Sequence, residues 1–171
     1  AEIRTIGATL GVNALNQAIL AGTIGVIAVL LFMLLYYRLP GLVADLALVA
    51  YIIIVMTVIV IAKITLTLPG IAGIILSVGM AVDANVIIFE RIKEEARTGK
   101  TLRAALDMGF TKAFRAILDS NITTLIAAIV LLYFGTGPIQ GFAKTLIIGI
   151  IASMFTAISF TRYVLKLVMG L

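Results

Sequence analysis

Apolar residues run through this chain in five long blocks, each bounded by a charge, a Pro–Gly pair or both. The first covers 17–37, carries no charge, and closes on Tyr36-Tyr37-Arg38, an aromatic and basic anchor of the kind found at a membrane interface. Leu39-Pro40-Gly41 then breaks the pattern and predicts a tight turn. The second block, 42–62, ends at Lys63, and the third, 71–89, follows Pro69-Gly70. The fourth, 114–134, is separated by Gly135-Thr136-Gly137-Pro138 from the fifth, 139–163. A helix of about 20 residues crosses a bilayer core, so every block is long enough to span. The prediction is an all-α polytopic membrane protein with five transmembrane helices, residues 1–171 forming one transmembrane domain.

The polar stretches fill in the remainder. Residues 1–16 mix Gly7 and Gly11 with Asn13 and Asn16, and read as a loop leading into a short helical approach. The segment 90–112 is the one strongly charged region. Its Ile92, Ala96, Leu102, Ala105, Leu106 and Phe110 lie among Lys, Arg and Glu, which predicts one or two amphipathic surface helices broken near Thr98-Gly99-Lys100. A solvated loop is the plainer alternative.

Composition agrees with the pattern. Hydrophobic residues make up 63% and charged residues 12%, against about half and about a quarter in soluble domains. The net charge of +5 does not indicate nucleic-acid binding, because the basic residues sit at the ends of apolar blocks. With five alternating spans, Arg38, segment 90–115, Arg162 and Lys166 share one side, which holds ten of the 13 basic residues. Arg4, Lys63 and Lys144 lie on the other. The positive-inside rule makes the first side cytoplasmic, with the N-terminus outside and the C-terminus inside. The chain contains no Cys and no His. Disulfides, thiol chemistry, zinc sites and His-based triads are therefore not expected, and neither a cofactor, a bound metal nor an enzymatic activity is predicted. Ala1-Glu2-Ile3-Arg4 lacks the features of a signal peptide and suggests a piece of a longer protein.

The third block contains an acid. Gly79-Met80-Ala81-Val82-Asp83-Ala84-Asn85 places a carboxylate and an amide inside an apolar run. A carboxylate in hydrocarbon costs a few kcal/mol or more, and marks a functional site by default. Asp83 precedes Glu90 by seven residues, roughly 10 Å along a helix. The fourth block repeats the motif early in its length as Asp119-Ser120-Asn121, followed by Thr123 and Thr124. The two helices are antiparallel, so these polar groups are expected at comparable depth. Gly73, Ser77 and Ala81 recur every four residues, and Gly79 shares a neighbouring face with Asp83. Small residues admit a close helix, so the Asp83 side is expected to be packed or water-lined. A carboxylate held there and titrating near the working pH can carry protons. Bland alternatives stand beside these. Asp119 can pair with Arg115 one turn earlier. Asp45 can complement a helix N-terminal dipole. Asn121, Thr123 and Thr124 can simply bond neighbouring helices, and Lys144 can snorkel to the interface.

Val82-Asp83-Ala84-Asn85-Val86 running into Glu90-Arg91-Ile92-Lys93-Glu94-Glu95 resembles the SecD signature of the SecD/SecF family of bacterial protein-export membrane subunits, in the RND-type superfamily. Leu35-Tyr36-Tyr37-Arg38, Leu68-Pro69-Gly70-Ile71-Ala72-Gly73, Asp119 to Ile126, and Gly135 to Ala143 agree in order and spacing. The resemblance implies half of an RND-type membrane domain, with the first helix and a large external domain outside this chain. It implies a multi-pass protein of the bacterial inner membrane that uses the proton motive force to assist polypeptide translocation. Implied partners are a SecF-like half, the Sec translocon channel, membrane lipids, and the translocating polypeptide through the missing external domain. By residue matching it makes Asp83 the proton carrier, with Asp119 a second relay position of less defined role and Asn85, Asn121, Thr123 and Thr124 supporting polar groups. The competing readings are a non-conducting scaffold that stabilises the translocon, or another RND-type proton-coupled transporter.

Overall fold

In the computed structural model the described residues, 2–170, are helical with short connections, and side-chain surroundings are described from residue 11 onward. The helices are α1 (Glu2–Tyr37), α2 (Leu39–Ile61), α3 (Leu68–Arg97), α4 (Leu102–Phe134), α5 (Gly137–Phe155) and α6 (Thr161–Val168). A π turn, Thr156–Phe160, joins α5 to α6 without a break, so the two form the fifth long helix. Five helices are thus long and apolar enough to cross a membrane. Ile19, Leu20, Ile24 and Ile27 of α1 are exposed. Exposed apolar side chains on such helices are what a lipid environment accommodates.

Two expectations about boundaries change. Residues 2–16 continue α1 instead of forming a loop. The three Pro–Gly or Gly–Pro pairs also open helices instead of making the turns. Pro40, Pro69 and Pro138 each lie in the first turn of α2, α3 and α5. Proline is suited to that position because the first N–H groups have no intrahelical partner to lose. The α1–α2 reversal falls on Arg38 alone, at φ 54° and ψ −115°, a sparsely populated positive-φ conformation costing roughly 1–3 kcal/mol for a residue with a Cβ. Gly41 permits this tight return, since a Cβ there would strike the carbonyl of Met33. Thr67 caps α3 by accepting from the Gly70 N–H at 3.1 Å.

The 30-residue α3 is central and touches α1, α2, α4, α5 and the π turn. At 1.5 Å per residue it is about 45 Å long, longer than a bilayer core of about 30 Å. Its last two turns therefore carry Glu90, Arg91, Lys93 and Glu94 beyond the apolar part. The charged segment is a continuation of α3 and the start of α4, reversed at 98–101. Gly99 makes that reversal at φ 85°, and Gly109 lets the two backbones meet, a Cβ there falling 2.8 Å from the Ile92 nitrogen. Glu95 is buried beneath the turn and takes ammonium groups from both Lys100 and Lys112.

Side-chain bonds fix which helix ends lie together. Tyr37 Oη donates to Glu90 Oε1 at 3.0 Å, which joins the end of α1 to the charged end of α3. Asp107 Oδ1 pairs with Arg162 at 3.1 Å and Lys166 at 2.9 Å, which brings α4's start to α6. Arg38, the 90–115 segment, Arg162 and Lys166 therefore share one end of the bundle. At the opposite end Thr145 Oγ1 donates to the Gly70 carbonyl at 2.9 Å, tying α5 to the start of α3.

Candidate functional site

The face of α3 bearing Gly73, Ser77 and Ala81 is buried, as the spacing of small residues predicts. It packs on α5, where a Cβ on Gly149 would collide with Ser77 and lie 2.9 Å from Tyr51 Oη of α2. Tyr51 donates to Ser77 Oγ at 2.6 Å, so three helices meet in one buried hydroxyl pair.

Asp83 does not belong to that face. Two residues along an α-helix turn the side chain by about 200°, and this splits the Asp-Ala-Asn motif. Asn85 points inward and is 3% exposed. Its Oδ1 accepts from Thr161 Oγ1 at 2.8 Å, and its Nδ2 donates to the Ala81 carbonyl at 3.3 Å. Asp83 points outward and is exposed. So is Gly79 one turn before it, and a Cβ on Gly79 would meet nothing within 4 Å. The small-residue surface next to Asp83 is thus left open by this chain. No helix among the described residues covers it.

Helix α4 repeats the arrangement. Asp119 is exposed, whereas Asn121 is buried at 7% exposure. Thr123 donates to the Asp119 carbonyl at 3.0 Å and Thr124 to the Ser120 carbonyl at 3.1 Å. These hydroxyls bond their own helix and do not bridge to a neighbour. The Asp119–Arg115 ion pair does not form. Among the described residues, neither Asp83 nor Asp119 takes part in a salt bridge or a side-chain carboxylate hydrogen bond. Asp45 is half-buried, and because α2 begins at Leu39 it lies in the second turn, past the first-turn position where an acid best complements the dipole.

Thr161 is the site residue that sequence reasoning missed. It is fully buried, 76 positions from Asn85 in sequence. Its N–H bonds to the Thr156 carbonyl five residues back, the bond that closes the π turn. π turns are rare and recur near functional sites. A Thr in an apolar helix gives no sign of its partner, and 3.6-residue counting does not reveal a π turn.

The chain as a whole has known relatives. Residues 1–169 match the family described as protein export membrane protein SecD/SecF, C-terminal. The chain belongs to the SecD/SecF family. It is 59% identical over 169 residues to protein translocase subunit SecD of Acidaminococcus fermentans, covering 99% of this chain and 40% of that protein. It is 52% identical over 167 residues to SecD of Synechocystis, covering 98% of this chain and 35% of that protein. The crystal structure of SecDF from Thermus thermophilus, a translocon-associated membrane protein, superimposes with a TM-score of 0.91 at 43% identity, covering 95% of this chain and 23% of that one. The five-helix membrane architecture is thus that of SecDF. The chain spans less than half the length of these SecD relatives, and corresponds to a multi-pass membrane portion of them.

Proposed function

We propose that this chain is the membrane half of a SecD subunit that uses the proton motive force to assist polypeptide export, with Asp83 as its proton-carrying group. The observation that carries this is the exposed, unpaired carboxylate of Asp83 on the central helix, beside the open surface at Gly79. A carboxylate on a membrane-spanning helix is costly unless it meets water or a partner. The reading supplies both through a SecF-like half seated on this face. Asn85, pinned to Thr161, fixes the rotation of α3 and so the direction in which Asp83 points. Asp119, outward on the next helix in the same pattern, is the second relay position, with Asn121, Thr123 and Thr124 holding the local shape of α4. Protonation of Asp83 removes a charge from the interface, and the two halves respond by shifting against each other. The bacterial inner membrane is the setting, with the basic end of the bundle cytoplasmic under the positive-inside rule and the C-terminus on that side. The Sec translocon channel and the exported polypeptide are the further partners, engaged through segments that SecD relatives carry outside this region.

The test is Asp83→Asn in full-length protein, reconstituted with its SecF partner and the channel in vesicles. The complex assembles normally, and the proton gradient no longer stimulates export. Full gradient-dependent export by this variant would overturn the assignment.

A further inference from the structure

Helices α3, α4 and α6 and the π turn line a cleft of about 450 Å³ near the basic end of the bundle. Ile88, Ile117 and Ile158 form its apolar wall. Phe110 and Phe114 flank it, and two guanidinium groups, Arg115 and Arg162, line it. We propose that this cleft seats an anionic phospholipid, its phosphate between Arg115 and Arg162 and an acyl chain along the accessible faces of Phe114 and Ile158.

Three observations carry this. First, the cleft is graded. Arg115 opens the apolar part of α4 and Arg162 closes that of the fifth long helix, so both sit where the hydrocarbon ends. Ile117 follows Arg115 and Ile158 precedes Arg162, each on the membrane side of its arginine, while Ile88 lies level with the guanidinium groups. That order of charge then apolar surface matches a lipid, and not a soluble anion. Second, donors are free. Among the described residues Arg115 forms no ion pair. Arg162 uses one nitrogen on Asp107 and rests over the Phe110 ring at 5.7 Å, which orients the rest of its fork. Thr111 contributes little, because its hydroxyl is bonded to the Asp107 carbonyl at 2.9 Å. Third, charge is complementary. Lys112 and Lys166 nearby are paired with Glu95 and Asp107, so the unpaired charge at the cleft is that of Arg115, with the remaining donors of Arg162 beside it, and basic pockets between membrane helices hold anionic headgroups. The volume lies within the range of small-molecule sites.

The site is separate from Asp83, and it places a lipid against the π turn whose last bond is made by Thr161. Full-length protein is purified in detergent and titrated with dioleoylphosphatidylglycerol, dioleoylphosphatidylcholine or glycerol 3-phosphate, with bound molecules counted by native mass spectrometry. One phosphatidylglycerol is retained in preference to phosphatidylcholine. Arg115→Gln weakens it about fivefold, the effect of one basic residue at an anionic surface, and Arg103→Gln, on an exposed position outside the cleft, changes it less than twofold. Arg115 is exposed and unpaired, so its replacement leaves the unfolding temperature in lipid-free detergent unchanged. Arg115→Lys, which keeps the charge, restores most of the binding. Equal retention of phosphatidylcholine, equal loss in Arg115→Gln and Arg103→Gln, or full displacement of the lipid by glycerol 3-phosphate would each overturn the proposal, the last by showing a site for soluble anions.

Discussion

Breaking the bond between Thr161 and Asn85 tests whether the inner half of the Asp-Ala-Asn motif is a structural pin. The two side chains are 0% and 3% exposed, and the hydroxyl donates at 2.8 Å. Thr161→Val keeps the shape of the side chain and removes the donor. Asn85 Oδ1 then stays buried without it, while Nδ2 keeps its bond to the Ala81 carbonyl. Interhelical hydrogen bonds in membrane proteins average about 0.6 kcal/mol and reach about 1.7 kcal/mol. Full burial of both partners places this one in the upper part of that range, near 1–1.7 kcal/mol. Asn85→Leu, close in volume, removes the acceptor. Replacing both partners by apolar groups costs less than the two single losses added together, because no orphan remains. The assay is equilibrium unfolding of wild type, both single variants and the double variant in mixed micelles with rising dodecyl sulfate. A coupling energy of about 1 kcal/mol is expected. Additivity of the two single effects within about 0.3–0.5 kcal/mol would refute the pin. It would also remove the argument that Thr161 sets the rotation of α3.

Two glycines six positions apart on α3 should respond to alanine with opposite signs. Gly73→Ala drives a Cβ to 2.5 Å from Thr145 Oγ1 and 3.1 Å from the Phe142 carbonyl, and should cost about 1–3 kcal/mol in the same unfolding assay. Gly79→Ala meets nothing and should stabilise the separate chain by about 0.5–1 kcal/mol, while weakening co-purification with a SecF-like half. Glu95→Gln leaves Lys100 and Lys112 facing a neutral amide, and should speed hydrogen exchange of the amides at 98–101 without altering exchange in the middle of α3.

The sequence carries the fold well because membrane spans are written in long apolar blocks that few other structures produce. Its errors are local. Pro breaks helix interiors and so reads as a turn, yet at Pro40, Pro69 and Pro138 it begins helices. Asp83 and Asn85 are neighbours in the linear motif. Helical rotation sends them to opposite sides, and the same holds for Asp119 and Asn121. That split was available from a period of 3.6. Which of the two sides faces inward was not, since it depends on α5 covering the Gly73–Ser77–Ala81 stripe. The partnership of Asn85 with Thr161 was beyond reach, because two distant positions in apolar helices carry no local mark of one another.

The π turn at Thr156–Phe160 separates chain length from side-chain phase. It uses one residue more than the α turn it replaces. Counted at 3.6, the stripe that packs α5 on α3 therefore falls out of step with the one that brings Thr161 to Asn85 and Arg162 to Asp107. A relative shorter by one residue here can run an unbroken α-helix and still present both contacts. The same deletion anywhere upstream in α5 would rotate everything beyond it by about 100°. Sequence comparisons across the last span are best aligned from both ends toward these five residues, with the gap placed inside them.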